Sequence, residues 1–148
     1  MATAVDRFLQ SYVDAFNRSL GEQVDVEGIR SHFAGCFVGA GPRGVTCGEN
    51  GDEFVETLRQ GYAVYTTIGT RAIAVQAVTA TPIDERHQMA TVEYRATYEK
   101  STGETVEFDF PVTYFLASHD ESLKIFGFVA GDEMAIYREH GLLPAAPG

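Results

Sequence analysis

Residues 106–117, Val-Glu-Phe-Asp-Phe-Pro-Val-Thr-Tyr-Phe-Leu-Ala, form the longest segment of the chain that is rich in aromatic and β-branched residues. This composition and length predict a central strand rather than an edge strand. Its even-numbered residues are all apolar or aromatic, whereas its odd-numbered residues mix charge, proline, hydroxyl and ring. Successive side chains of a strand point to opposite faces. The segment therefore predicts one face that packs against another layer and one that lines a cavity.

Apolar periodicity on either side of this strand predicts helices first and a meander of strands afterwards. The predicted helices span residues 5–20, 26–33, 53–65 and 132–137, with Asp25 and Asp132 as N-caps and a capping box at residues 50–53. The predicted strands span residues 36–38, 45–47, 71–80, 88–99, 104–117 and 123–130. Short connections between the last four strands favour antiparallel hairpins. This order is typical of an α+β fold in which helices cover one face of a curved sheet.

The segment Gly39-Ala-Gly-Pro-Arg-Gly44 matches the pattern G-x-G-x-x-G. That pattern indicates dinucleotide binding only where it joins a strand to a helix within a βαβ unit. Here Val-Thr-Cys follows instead of a helix, so we expect a turn between two short strands. No cofactor is predicted.

Length, composition and net charge limit the number of domains, the partners and the location that can be expected. A chain of 148 residues with 45% hydrophobic residues predicts one folded domain, which we place at residues 1–141 with a loose tail at 142–148. A formal net charge of -10 argues against nucleic-acid and anionic-membrane partners. No signal peptide or long apolar run is visible, so a cytoplasmic location is expected.

Cys36 and Cys47 are the only cysteines. In a reducing compartment they are expected to be free thiols, and the apolar residues Phe37 and Val38 suggest that Cys36 is buried. The spacing of the cysteines and the four histidines shows no ligand pattern, so no metal site is predicted.

Several segments resemble the NTF2-like superfamily, whose fold is also called cystatin-like. They are 8–17 (Phe-Leu-Gln-Ser-Tyr-Val-Asp-Ala-Phe-Asn), 26–29 (Val-Glu-Gly-Ile), 98–103 (Tyr-Glu-Lys-Ser-Thr-Gly) and 111–115 (Pro-Val-Thr-Tyr-Phe). Within the superfamily the chain is most similar to ketosteroid isomerases and SnoaL-like polyketide cyclases. The resemblance implies a cone in which N-terminal helices pack on a strongly curved antiparallel sheet. Because the outer face of the predicted sheet also carries aromatic residues, we expect a second copy of the chain to cover it and form a homodimer through the sheet face. We expect the even face of 106–117 to meet the partner and the odd face to line the cone.

Carried over residue by residue, the isomerase resemblance is partial. Tyr12 matches the tyrosine that donates a hydrogen bond to the enolate oxygen. The aspartate base would fall near Gly39 and Ala40, where no carboxylate stands, and Thr113 occupies the position of the oxyanion-hole acid. Proton transfer without a base in reach of the substrate fails, so steroid isomerisation by this mechanism is rejected.

The residues expected to line a pocket are Tyr12, Phe16, His32, Phe33, Tyr62, Tyr65, Arg95, Asp109, Thr113 and Phe128. Tyr12 is either a core residue or a ligand contact. Asp109 is a surface group, an ion-pair partner of Arg95, or a pocket acid with a raised pKa. His32 is either a cation that suits its helix dipole or a general base.

Two functions remain. The first is an NTF2-like protein that binds a small hydrophobic molecule without a complete catalytic set. The alternative is an enzyme, similar to the SnoaL-like cyclases and ketosteroid isomerases, that performs acid–base chemistry with Tyr12 and Asp109. The sequence leaves open whether any reaction is catalysed.

Overall fold

The computed structural model of the chain describes residues 2–120 and 122–143 and, within them, four helices and six strands. The helices are α1 (Ala4–Arg18), α2 (Val26–Arg30), α3 (Asp52–Ile68) and α4 (Glu133–Glu139). The strands are β1 (Phe33–Gly41), β2 (Gly44–Glu49), β3 (Thr70–Pro82), β4 (His87–Glu99), β5 (Thr105–His119) and β6 (Ser122–Ala130). The predicted α+β class is confirmed.

Helix α1 begins at a capping box that the sequence analysis did not identify. The amide of Asp6 donates to the Thr3 hydroxyl over 3.1 Å, and the amide of Thr3 donates to the Asp6 carboxylate over 2.9 Å. The centre of the apolar stripe is buried, as Leu9 and Val13 illustrate, and its flanking rings Phe8 and Tyr12 are half-buried. This stripe holds α1 on the sheet, as its period predicts.

The six strands form one mixed sheet in the order β2-β1-β6-β5-β4-β3. Strands β3 to β6 are an antiparallel meander, but β1 lies parallel to β6. The predicted wholly antiparallel sheet is therefore corrected. The chain between β1 and β6 includes α3 and the meander, so no hairpin constrains their direction, and a long crossover permits parallel pairing.

The even-numbered face of β5 turns towards the helices and the interior of the cone. Val112, Tyr114 and Leu116 are 7% exposed or less, and the Tyr12 ring of α1 packs edge-on against Tyr114 at 6.1 Å. The expected assignment of the two faces was therefore wrong. Burial of apolar surface is favourable in proportion to its area, so the wholly apolar face takes the interior and the mixed face is left outside.

The capping box predicted at residues 50–53 is absent. Gly51 precedes α3 without a side-chain cap, and the Asn50 amide instead donates to the carbonyls of Arg30 and Phe33 over 3.0 and 3.2 Å. Asn50 thus joins the end of α2 to the start of β1. The predicted caps Asp25 and Asp132 do accept amide hydrogen bonds at α2 and α4.

The glycine-rich segment is a hairpin, as expected. Gly41 pairs with Gly44 across a tight turn, and Gly44 has a φ of 124°, which favours glycine. Cys36 and Cys47 are free and exposed, so the expected burial of Cys36 was wrong. Strand alternation is the reason: the Phe37 ring packs inside at 4.7 Å from Phe54, which leaves its neighbour Cys36 outside.

The segment after α4 stays close to the domain as far as it is described. The amide of Leu142 donates to the Tyr137 carbonyl over 2.8 Å, and Leu142 and Leu143 pack partly against the core. Residues 144–148, with the expected stop signal Pro144, lie outside the described residues, so the boundary at residue 141 stays a prediction. No helix within the described ranges combines the length and apolar character needed to cross a bilayer.

One side chain ties α1 to the edge strand β3. The Asn17 amide donates to the Ile73 carbonyl over 3.1 Å and its oxygen accepts the Ile73 amide over 2.9 Å. We expect Asn17→Ala to lower the free energy of unfolding by about 1–3 kcal/mol, because two part-buried backbone groups lose their partner. Urea denaturation measures the change. Gln10→Ala, which removes an exposed hydrogen bond to Asp14 on the same helix, is the control. An equal effect of the two substitutions would contradict the assignment.

Candidate functional site

A cavity of about 240 Å³ lies between the helices and the concave face of the sheet. We call it the cone cavity. Its walls carry six tyrosines and five phenylalanines, with only a few aliphatic residues between them. The tyrosines are Tyr12, Tyr65, Tyr94, Tyr98, Tyr114 and Tyr137. The phenylalanines are Phe16, Phe33, Phe54, Phe110 and Phe128. Aromatic surface surrounds most of the enclosed space.

Glu133 is the one charged residue among the described residues that line the cone cavity. It is the first residue of α4, and the turn of that helix places it on the same face as Ile136 and Tyr137. Burial raises the pKa of the Glu133 carboxyl above its ordinary value of 4.5, and no neighbouring cation or hydrogen bond opposes this shift. Among residues 2–120 and 122–143 no salt bridge engages Glu133. The cavity thus holds a carboxyl group that no described residue pairs with.

The tyrosine hydroxyls give the aromatic walls a second, polar character. Tyr94 and Tyr114 share a buried hydrogen bond of 2.8 Å between their hydroxyls. Burial, followed by the Glu133 charge, raises the pKa of Tyr12 to about 12, and the same two causes raise the pKa of Tyr65. These tyrosines stay neutral at physiological pH, so each hydroxyl is able to donate or accept a hydrogen bond. The carboxyl of Glu133 lies near enough for its charge to act on them.

The cone cavity adjoins two outer clefts. One, of about 520 Å³, lies between the β1–β2 hairpin and α4 and shares Phe128, Ala130 and Glu133 with the cavity. The other, of about 980 Å³, lies between the hairpin and α3 and shares Phe54 and Phe128. Phe128 borders all three spaces, and its ring lies against Gly39, where a Cβ would come within 2.8 Å of it. Phe128 and Glu133 therefore stand at the boundary between the cavity and the outside.

Comparison with known protein families identifies the family to which the chain belongs. Residues 3–133 match the family described as NTF2-like protein (DUF6841). The chain belongs to this NTF2-like family. The expected superfamily is thereby confirmed. No curated protein matches the sequence.

Solved structures share the NTF2-like fold at low sequence identity. Aln2 from a Streptomyces species superposes with a TM-score of 0.68 at 14% identity, covering 92% of this chain and 93% of the other. A ketosteroid isomerase-like protein from Erwinia carotovora atroseptica gives a TM-score of 0.58 at 15% identity, covering 86% and 92%. A protein of unknown function with a cystatin-like fold from Nostoc punctiforme gives 0.56 at 19% identity, covering 87% and 92%. At these identities the likeness concerns the fold alone.

Five of the ten residues expected to line a pocket do line the cone cavity of this NTF2-like protein. They are Tyr12, Phe16, Phe33, Tyr65 and Phe128. Tyr62 is buried behind this wall, with its ring 5.2 Å from Phe16 and 5.5 Å from Tyr65.

Three of the expected pocket residues lie on the opposite face of the sheet. Arg95 and Asp109 form an exposed ion pair, with 2.8 Å between Nε and Oδ1, and the guanidinium holds the pKa of the Asp109 carboxyl below its ordinary value. Thr113 shares a 3.2 Å hydrogen bond with Thr91 on the same outer face. The hypothesis of Asp109 as a pocket acid was therefore wrong, because the odd-numbered face of β5 points away from the cavity.

His32 occupies a buried position between α1 and α2. Its Nδ1 lies 2.7 Å from the Gly28 carbonyl and its Nε2 lies 3.0 Å from the Ser11 hydroxyl. Burial lowers the pKa of the imidazole, so the neutral form is favoured. The ring also packs beside Tyr12 at 5.5 Å. His32 thus supports the cavity wall rather than lining the cavity, and it suits neither the cation nor the general-base expectation.

The sequence analysis missed Glu133 together with Tyr94, Tyr98, Tyr114 and Tyr137 as cavity residues. A glutamate directly after an N-cap usually has a simple role at the helix terminus. A signal was nevertheless present, because Glu133, Ile136 and Tyr137 follow the spacing of one helix face. In the part of the chain that the structure describes, no group of three or more His, Cys, Asp or Glu side chains is arranged to hold a metal ion.

The raised pKa of Glu133 predicts a pH-dependent stability. The folded protein holds the Glu133 proton more tightly than the unfolded chain does. The stability that this protonated carboxyl contributes is therefore fully present below pH 4.5 and is lost as the pH rises through the raised pKa. Glutamine mimics the protonated form, so Glu133→Gln should match the wild type at acidic pH and melt at a higher temperature at about pH 8. Thermal denaturation across this range measures the difference.

Glu139→Gln is the matched control, since it removes one negative charge from an exposed position of the same helix. If the two variants differ from the wild type by the same amount at every pH, the effect comes from net charge and the burial of the Glu133 carboxyl is refuted.

Proposed function

We propose that the protein binds a small hydrophobic molecule in the cone cavity. The observation that carries the proposal is an aromatic cavity of about 240 Å³ that the side chains leave unfilled. Protein interiors are normally packed to a density that leaves few voids larger than a water molecule. Aromatic walls with a few convergent polar groups are typical of small-molecule sites.

The size of the cavity limits the ligand. Pockets that hold drug-sized molecules have volumes of roughly 300–1,000 Å³, so a cavity of about 240 Å³ favours a smaller molecule with one or two rings. The flat faces of Tyr94, Phe110 and Tyr98 suit a planar ring by offset or edge-on stacking. The hydroxyls of Tyr12 and Tyr65 are available to bond one or two polar atoms of such a molecule.

A cavity-filling substitution tests this proposal. Ala130 lines the cavity near its outer boundary, whereas the neighbouring Val129 is 47% exposed on the outer face. We expect 2-phenylethanol and 2-naphthol to raise the melting temperature of the wild type by mass action. Ala130→Leu should weaken their binding about tenfold or more, a change of about 1.4 kcal/mol or more. Val129→Leu should bind like the wild type. Calorimetry measures the affinities of both variants for these compounds. If Ala130→Leu and Val129→Leu bind them with equal affinity, the ligand lies outside the cavity.

An acid–base enzyme is the second candidate, and Glu133 is the observation that favours it. A carboxyl group with a raised pKa in a cleft is a common general acid or base. Glu133 supplies the carboxyl that the sequence analysis sought in Asp109, with Tyr12 as a hydrogen-bond donor beside it. A chemical change in a bound compound that occurs with the wild type and not with Glu133→Gln would distinguish this candidate from binding alone.

We also propose that the protein is a homodimer through the outer face of the sheet. The outer face is defined here by Met89, Thr91, Thr113, Phe115, Phe126 and Val129. Phe115 and Phe126 pack together there with ring centroids 6.1 Å apart. Further along the same face of β4 and β5 stand Glu93 opposite Pro111 and then the ion pair of Arg95 and Asp109, so polar groups flank this area on one side, as in the polar rim of an interface.

A charge at the centre of the outer face should separate the protomers. Thr113→Arg is expected to convert a dimer into a monomer in sedimentation velocity experiments, because it places an unpaired cation in the interface. Val64→Arg, at an exposed apolar position on α3, is the control and should leave the dimer intact. A wild-type protein that sediments as a monomer, or a variant that stays dimeric, would refute the proposed interface.

A further inference from the structure

The cone cavity combines two features that suit one class of ligand. Its walls present the faces and edges of eleven aromatic rings, and its single charged lining residue in the described chain is an unpaired carboxyl. Aromatic faces attract cations through their quadrupole, and a carboxylate attracts them through its charge. The carboxylate repels an anion.

We propose that the ligand of the cone cavity is a small hydrophobic organic cation, such as a protonated arylalkylamine, whose ammonium group pairs with Glu133. This inference rests on the proposed binding function and specifies the chemical class of the ligand. The ring of the ligand stacks within the aromatic walls. The ammonium group donates to the carboxylate and to the oxygen atoms of nearby tyrosine hydroxyls.

The described surroundings of Glu133 supply no cationic partner for its carboxylate. Arg43 and Arg138 line the adjoining outer cleft and not the cone cavity, and neither forms a salt bridge with Glu133 in the described chain. The ionisable groups that face Glu133 from α1, α3, β4 and α4 are Tyr12, Tyr65, Tyr98 and Tyr137. Burial raises the pKa of each of these tyrosines, so they carry no charge in the neutral range. The Glu133 carboxylate is half-buried and has no cation beside it among the described residues, so it is less well solvated than an exposed carboxylate. A ligand ammonium offsets part of that cost.

Two further arguments favour a cation over a neutral molecule of the same shape. The ammonium group gains an ion pair and cation–π contacts that an alcohol lacks, at a site only partly open to water. The formal net charge of -10 also attracts cations to the protein and repels anions. A cationic ligand stabilises the ionised form of Glu133, so its binding should release the proton that burial favours.

The test compares 2-phenylethylamine with 2-phenylethanol, which share a ring and a two-carbon chain and differ in charge. Calorimetry at about pH 8 should show that the wild type binds the amine at one site and at least about tenfold more tightly than the alcohol. Glu133→Gln should bind both compounds with similar affinity. Glu139→Gln should keep the wild-type preference, which separates the cavity carboxylate from general attraction by net charge.

A second experiment measures the protons released when the amine binds. At about pH 4.5, where a carboxyl with a raised pKa is more than half protonated, titrations in buffers of different ionisation enthalpy should show net proton release when the amine binds to the wild type and none with Glu133→Gln. If the alcohol binds as tightly as the amine, or if Glu133→Gln keeps the preference for the amine, the cation inference is overturned while the binding function stands. If neither these compounds nor 2-naphthol binds to the wild type, the proposed binding function fails as well.

Discussion

The burial of one aromatic strand face beneath an amphipathic helix is the constraint on which the other features depend. The even-numbered side chains of β5 and the matching residues of β4 form a concave aromatic surface, and the Tyr12 ring of α1 packs against it. Tyr114 contacts Tyr12 of the helix and shares a hydroxyl hydrogen bond with Tyr94 of the neighbouring strand. Rings this large bury much apolar area, but their fixed shapes do not fill a cone completely. The remaining volume is the cavity, and α4 closes it with Glu133.

The same constraint sorts the polar residues into two groups. Alternation along β4 and β5 places Arg95 and Asp109 on the outer face, where they form a solvent-exposed ion pair. The interior then contains one carboxyl among the described residues, contributed by a helix that follows the sheet and not by a strand. Aromatic walls stabilise an apolar ligand, but they leave a desolvated carboxylate without a partner. The chemistry of the cavity is therefore centred on Glu133, and a ligand that carries a positive charge relieves the penalty.

The fold could be predicted from the sequence because its signals are local. Each signal comes from residues that are close together in the sequence. These signals are the apolar period of α1, the alternation of β4 and β5 and the short connections of the meander. The site depends on long-range geometry. Which face of β5 turns inward is decided by the helix that covers it, so the pocket role assigned to Asp109 and Thr113 was wrong although the strand itself was predicted. Glu133 was not predicted as a cavity residue, because its position is set by packing against the sheet and not by its neighbours in the sequence. Asn50 shows the same limit, since a residue typical of a helix cap instead joins α2 to β1.

The central claim is that the half-buried Glu133 carboxyl has no cationic partner among the described residues until a cation enters the cavity. A carbon-13 NMR titration of the glutamate side-chain carboxyls, with Glu133→Gln to assign the resonance, measures this most directly. The account predicts a pKa above 4.5 for Glu133 in the free protein and a lower pKa in the presence of 2-phenylethylamine. A pKa at or below 4.5 in the free protein, or one that the amine leaves unchanged, would contradict it.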